Sequence, residues 1–282
     1  MPPAPGGTAS RVTPGSLDVW LPVGLLLVAD ASAVAGLVPW TRVAVAAMLI
    51  VGFTVRVARD REFAWAWGAA VPLALRHAWA TIPPPGALPG LAACDDLLSP
   101  PAIWRVAEAG VLLCVLGVVA MVLRADGVGL GLRAPARPIV ALAVLGPLVA
   151  APLALVLGPP LAHPFFGPFE LDTGLPGALV PALTLGLANG TLEEVLYRGA
   201  LMGWTARLAG PTAALGIQAL AFGLGHGGPD FVGSPLPVVG TLVVAGIVAG
   251  LVVQRTGSLL LPIAIHAAVD IPLYYYQACR LS

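Results

Sequence analysis

Lysine is missing from this sequence. All fourteen basic residues are arginine, fourteen acidic residues balance them, and charged residues fill only 10% of the 282 positions. A soluble domain carries about 25% charged residues, so a water-exposed globular surface is excluded. The formal net charge is zero, which leaves no electrostatic footprint for nucleic acid. Cysteine is scarce too. Cys94, Cys114 and Cys279 are widely spaced, with no Cys-x-x-Cys or Cys/His cluster, which removes zinc-finger and dithiol chemistry. Gly-x-Ser-x-Gly is absent and the nearest thiol, Cys279, stands at the chain end, so Ser/His and Cys/His nucleophile pairs drop out as well. No internal repeat is visible, which argues against a transporter built from inverted repeats. The N-terminus lacks the basic region and small-residue cleavage site of a signal peptide, so the first span is expected to be retained. The lack of lysine, with 34 glycines, 29 prolines and abundant alanine, is the codon bias of a GC-rich genome.

What is present is apolar. Hydrophobic residues make up 58% of the chain and mean hydropathy is +0.92. Membrane-length runs recur at 19–39, 41–55, 63–80, 103–123, 138–158, 176–206, 211–227, 237–254 and 258–278. The pattern predicts an all-α, polytopic transmembrane bundle of eight or nine spans. Pro83–Pro85, Pro100-Pro101, Pro159-Pro160 and Gly227–Pro229 read as loops. Arg56, Arg59 and Arg61, then Arg124, Arg133 and Arg137, then Arg207 and Arg255 alternate with acidic loops at Asp95-Asp96, Glu170 to Asp172, and Asp230. That alternation puts the N-terminus in the cytoplasm; Arg280 is the exception and keeps the eight-span alternative open. Three regions follow: a disordered lead over 1–18, accessory helices over 19–137, and a chemistry-bearing part over 138–282. The first two hold few mid-span ionisable groups, chiefly Asp30 and Glu108.

The third region carries Thr-Leu-Glu-Glu-Val-Leu-Tyr-Arg-Gly at 191–199. At bilayer depth each ionised Asp or Arg costs about 2.5–3.5 kcal/mol on insertion scales, so such groups persist where they pair or perform chemistry. Glu194 and Arg198 stand at i,i+4 in the favourable order and read as a structural ion pair. Glu193 points elsewhere on the helix and has no local partner, which suits a general base; a packing hydrogen bond to another span is the plainer role. Phe222 and His226, and His266 and Asp270, are two further i,i+4 pairs. Taken singly, a helix histidine is more often a packed core residue. At the helical rise, Glu193 and Asp270 lie about 20 Å from the cytoplasmic ends of their spans, His226 about 24 Å and His266 about 14 Å. These depths overlap near the middle of a core about 30 Å thick, which implies one polar cavity shared by three helices. Two histidines and two carboxylates there can hold a divalent metal or activate water directly. Glu193 and His226 are placed to take a proton from water, and His266 with Asp270 to steady an oxyanion. The reading is amide hydrolysis by activated water within the membrane.

The ordered set Glu193-Glu194-x-x-x-Arg198, Phe222-x-x-x-His226 and His266-x-x-x-Asp270, with the Tyr197-Arg198-Gly199 tail, resembles the CPBP family of intramembrane proteases. That family includes the CAAX prenyl endopeptidases and bacterial relatives. The resemblance spans about residues 138–280, and Gly127–Arg133 looks like the loop that precedes the catalytic helices in many members. It implies that Glu193 and His226 activate water, that His266 and Asp270 position the carbonyl or its oxyanion, and that Glu194 and Arg198 are structural. Tyr197 and Phe222 would support the cavity. Many members carry Asn at the position of Asp270. Asn donates a hydrogen bond and ionised Asp does not, so two roles stay open for Asp270: a protonated donor, or a carboxylate that orients His266. The cofactor is Zn2+ or none; a metal, if present, would be held by Glu193, His226 and His266. The implied partners are a membrane-anchored protein or peptide substrate and the lipid bilayer, and the implied location is a bacterial inner (plasma) membrane. The substrate class would be CAAX-type or C-terminal sorting-tag processing. Alternatives from other classes are a proton- or ion-coupled transporter and a non-catalytic membrane scaffold or immunity protein.

Some residues tempt without a pattern behind them. Tyr274–Tyr276, Trp65, Trp67, Trp79 and Trp104 read as an interfacial aromatic belt. His77 and His163 sit near loops with no partner at helical spacing. Gly240, Gly246 and Gly250 suggest close helix packing.

Overall fold

The structure, a computed structural model, describes residues 17–35, 40–81, 100–125, 129–166, 179–227 and 236–277. The N-terminal lead to Ser16, the acidic loops, Arg280 and the side chains of His163 and Tyr274–Tyr276 lie outside the described residues. Within them every named element is a helix, with one isolated bridge between Leu132 and Ser258 in the connecting segments. Lipid offers the backbone no hydrogen-bond partner, so apolar segments must satisfy their own amides, and the helix does so within one segment.

Helices α1 (Leu17–Val34), α2 (Trp40–Arg59), α3 (Ala64–Trp79), α4 (Pro100–Leu123) and α5 (Arg137–Phe166) come first. Then α6 (Leu179–Glu193) runs through a π-helical stretch, Glu194–Met202, into α7 (Gly203–Ala209). Gly210, at φ +83°, turns the chain, and Pro211 opens α8 (Pro211–Gly225) at a position where its missing N–H costs nothing. Helices α9 (Leu236–Thr256) and α10 (Leu260–Gln277) complete the described fold. Counting α6 to α7 as one rod, nine helices occupy the nine apolar segments among the described residues.

Four of them are long and apolar enough to cross a membrane: Trp40–Arg59, Trp104–Leu123, Arg137–Leu157 and Leu236–Thr256. Val19–Val34, Pro211–Gly225 and Leu260–Pro272 are apolar but shorter. The surface is inverted relative to a soluble protein. Leu142, Val144, Leu148, Val149 and Val156 of α5 are exposed, while Asp30, Glu108, Glu193, Glu194 and Arg198 are buried. This is the arrangement that lipid as solvent demands.

Three expectations change. Pro100 and Pro101 begin α4 instead of forming a loop, and α5 continues through Pro159-Pro160 to Phe166; a first turn has no N–H bonds to lose, and buried neighbours let membrane helices tolerate proline. Trp67 belongs to the core and packs onto Gly52 of α2, so it is no part of an interfacial belt. Cys114 lies in an apolar run that reads as the place of a small buried hydrophobe, yet it faces outward on α4.

Glycine sets the spacing that matters for the site. Gly186 and Gly190 of α6 face α10, and a β-carbon at either would lie 3.0 Å from the Ile271 or Ala267 backbone nitrogen. Small residues four apart let two helix backbones approach closely, and here they draw Glu193 beside His266 and Asp270. Gly190→Val should wedge α6 from α10 and destabilise the protein by about 1–3 kcal/mol, seen as a lower thermal midpoint in detergent. Gly246 and Gly250 likewise press α9 onto Ala219 and Gln218 of α8, whereas Gly240 has open space around it. The residues after α4 act as a clamp. Leu130 presents its carbonyl to Gly199 at 3.0 Å from a would-be β-carbon, Gly129 does the same to Gly203, and Leu259 N–H donates to the Gly131 carbonyl at 3.0 Å.

Candidate active site

Glu193 is the last residue of α6 before the helix widens into its π-helical stretch. Sequence reasoning anticipates an ordinary α-helix there; π turns recur at functional sites. The Glu193 side chain is 1% exposed. Its Oε2 lies 3.4 Å from His226 Nε2 and 3.6 Å from His266 Nε2. His226 caps the C-terminal end of α8, and its Nδ1 donates to the Phe222 carbonyl at 2.6 Å. In the neutral ring that bond puts the proton on Nδ1 and leaves Nε2 as an acceptor facing Glu193. Side-chain exposure is 20% for His226 and 15% for His266, so the histidines form the open side of the site and the carboxylate its floor.

His266 on α10 is ringed by carboxylates. Its Nδ1 lies 2.8 Å from Glu194 Oε1, and its Nε2 lies 3.5 Å from Asp270 Oδ2 in addition to Glu193. Glu194 therefore touches more than its expected partner. It also pairs with Arg198 Nη1 at 3.0 Å, so one carboxylate joins the arginine to the imidazole. Asp270 accepts a hydrogen bond from Asn189 Nδ2 at 2.8 Å. Asn189 stands one turn before Glu193 and was not singled out from sequence.

Phe222 is the hub beneath these groups. The Arg198 guanidinium lies 3.9 Å over its ring. Tyr197, His226 and His266 pack on it with ring centroids 5.2, 4.6 and 6.0 Å away. Arg198 is thus held by a carboxylate on one side and a π face on the other.

Two neighbouring residues of α3 also reach the site, and both bring partners from other helices that helical spacing alone does not show. Glu193 is not without a partner: its Oε1 accepts from Arg76 Nη2. His77 is not partnerless either. Its Nδ1 meets the fully buried Asp30 of α1 at 2.7 Å, and its Nε2 faces the Tyr197 hydroxyl at 3.5 Å. A signal existed in the sequence. An intramembrane arginine must find an anion, and Arg76 and Glu193 each lacked a mate at helical spacing.

As a metal site these residues fit poorly. Among the described residues, no group of three His, Cys, Asp or Glu side chains is placed to hold an ion. The Arg76 guanidinium already lies against Glu193, where it would repel a divalent cation. No chemical step is derived through a metal.

Residues 175–272 match the family model of Rce1-like type II CAAX prenyl endopeptidases. Neither curated proteins nor solved structures yield a match to the chain. The matched segment holds Glu193, Glu194, Arg198, Phe222, His226, His266 and Asp270, and the likeness is confined to that segment. Arg76, His77, Asp30 and Glu108 lie outside the matched segment.

Proposed function

From a chain whose segment 175–272 is of the CPBP/CAAX protease kind, we infer an intramembrane endopeptidase that cuts a membrane-anchored protein or peptide near its C-terminus. CAAX-type processing or removal of a C-terminal sorting tag is the substrate class. The observation that carries this reading is the convergence of Glu193 Oε2, His226 Nε2 and His266 Nε2 within 3.4 and 3.6 Å. Two acceptors facing each other, Glu193 Oε2 and His226 Nε2, are a receptor for one water molecule with two O–H donors. Such a water is oriented and polarised toward attack.

In this mechanism the water oxygen attacks the scissile carbonyl carbon while Glu193, aided by His226, takes its proton. The carbonyl oxygen becomes an oxyanion, and a protonated His266 N–H stabilises it. Collapse breaks the C–N bond, and the proton held by Glu193 goes to the leaving amine. Glu194 and Asp270 orient His266, Asp270 through its Oδ2, which lies 3.5 Å from His266 Nε2 and is itself held by Asn189. The N-terminus is assigned to the cytoplasmic side on the arginine pattern, and the membrane to a bacterial inner membrane as the family resemblance implies.

Mass spectrometry of protein termini in host membranes tests the function. Termini that appear with the wild type and vanish with Glu193→Ala are expected and would name the substrate. Identical termini, with the variant inserted and folded, would overturn the protease reading in favour of transport or scaffolding. Metal dependence is tested separately. A water activated by Glu193 and His226 alone predicts that activity changes less than about twofold after chelator treatment and dialysis, against the near-total loss expected where a metal lowers the pKa of bound water.

A further inference from the structure

The buried carboxylate at the centre of the site draws its counter-charge from a helix outside the family-matched segment. Arg76 of α3 reaches Glu193 Oε1 through Nη2, and its Nε lies 3.6 Å from Glu108 Oε1 of α4. Glu108 in turn takes Arg105 Nη1. Two arginines and two carboxylates alternate in charge in a row from α4 through α3 to α6. Glu108 is 5% exposed and Arg76 12%. A guanidinium is a rigid fork, and its contacts with two carboxylates at different edges fix its plane. With Oε1 bound to Arg76, Oε2 is the oxygen left to face His226 and His266.

We propose that Arg76 is a positioning residue of this active site, holding Glu193 Oε1 from α3 so that Oε2 is presented to the two histidines. The proposal rests on the hydrolytic reading above for its effect on rate, and on geometry alone for the Arg76–Glu193 couple. The next residue on α3 supports the placement. His77, fixed by Asp30, abuts the Tyr197 hydroxyl one turn beyond Glu193. A β-carbon at Gly225, the residue before His226, would lie 2.6 Å from that hydroxyl and 3.2 Å from His77 Nε2. One turn of α3 therefore touches the catalytic helix at two successive turns and packs against the end of α8. The supposed accessory region is part of the site. Arg76 is engaged by Glu193 and Glu108, so it is placed to act on the rate of the chemical step rather than on substrate affinity.

Two measurements on the full chain in detergent test this. The first is a thermal unfolding cycle of wild type, Arg76→Met, Glu193→Gln and the double variant. Arg76→Met alone strands a buried carboxylate and should lower the midpoint by about 10 °C. In the Glu193→Gln background the same change should cost less than half as much, because no charge is stranded at 193. Additive shifts would overturn the couple. The second is kinetics on the substrate peptide identified from the termini. Arg76→Met should lower kcat about 100-fold with KM changed less than about threefold, and Arg76→Lys should recover at least about tenfold of that loss. A folded Arg76→Met enzyme with wild-type kcat, or a loss confined to KM, would overturn the positioning role. If no Glu193-dependent cleavage exists, the protease reading and the rate effect fall together, while the unfolding cycle still decides the couple.

Discussion

Glu193→Gln should leave a folded, membrane-inserted protein whose cleavage rate has fallen by at least about 10³-fold. General-base assistance contributes about 10²–10⁴-fold, and groups that act as a unit lose most of their effect when any one is removed. Glutamine keeps the size and one acceptor of the side chain, so the packing of α6 against α10 through Gly186 and Gly190 is preserved. What it loses is the anionic Oε2, 3.4 Å from His226 Nε2. His226→Ala should cost a comparable factor, and the double variant little more than either alone. The rate of appearance of the new terminus checks this. A rate within tenfold of wild type for Glu193→Gln would remove Glu193 from the chemistry. Strictly multiplicative losses would separate it from His226.

Arg198→Met should be strongly destabilising, although no reacting atom is touched. The arginine side chain is 1% exposed, pairs with Glu194 at 3.0 Å and lies 3.9 Å over Phe222. Methionine fills a similar volume but leaves Glu194 buried with no arginine against it. Breaking one side of a buried pair costs about 3–5 kcal/mol, a fall of about 10 °C in thermal midpoint for a chain of this size. Changing both partners, Arg198→Met with Glu194→Gln, should restore more than half of the lost stability, since no charge is then stranded. Activity should not recover with it, because Glu194 also bonds His266 Nδ1 at 2.8 Å. Thermal unfolding of the four proteins separates these effects. A single-variant cost below about 1 kcal/mol would mean that the pair behaves as a solvent-exposed one.

Much of the fold was legible because lipid imposes a simple rule on sequence. Segments that cross it must be apolar and helical, so the nine runs could be read by composition alone. The departures occur where composition is silent. Pro159-Pro160 reads as a loop in any soluble context, yet α5 continues through it. Cys114 and Trp67 were assigned to opposite faces from those they occupy because hydrophobicity does not distinguish core from lipid. The candidate site was legible for a related reason. Each of its short motifs sits on one helix at i,i+4 spacing, and ionisable groups stand out against an apolar background.

The sequence by itself determined that this is a membrane bundle and that its three i,i+4 motifs of ionisable groups fall on three late helices at similar depths. Charge in a low-dielectric environment is costly enough to be visible one residue at a time. Only the tertiary structure decided which charges meet. Arg76 and Glu193 are 117 positions apart, and no periodicity couples residues on separate helices. Their pairing, the second contact of Glu194 with His266, and the Asn189 bond to Asp270 follow from the close approach of α6 to α10 at Gly186 and Gly190 and from the packing of α3. Helix spacing and rotation, set by side-chain volumes at the contacts, turn a list of polar residues into one site.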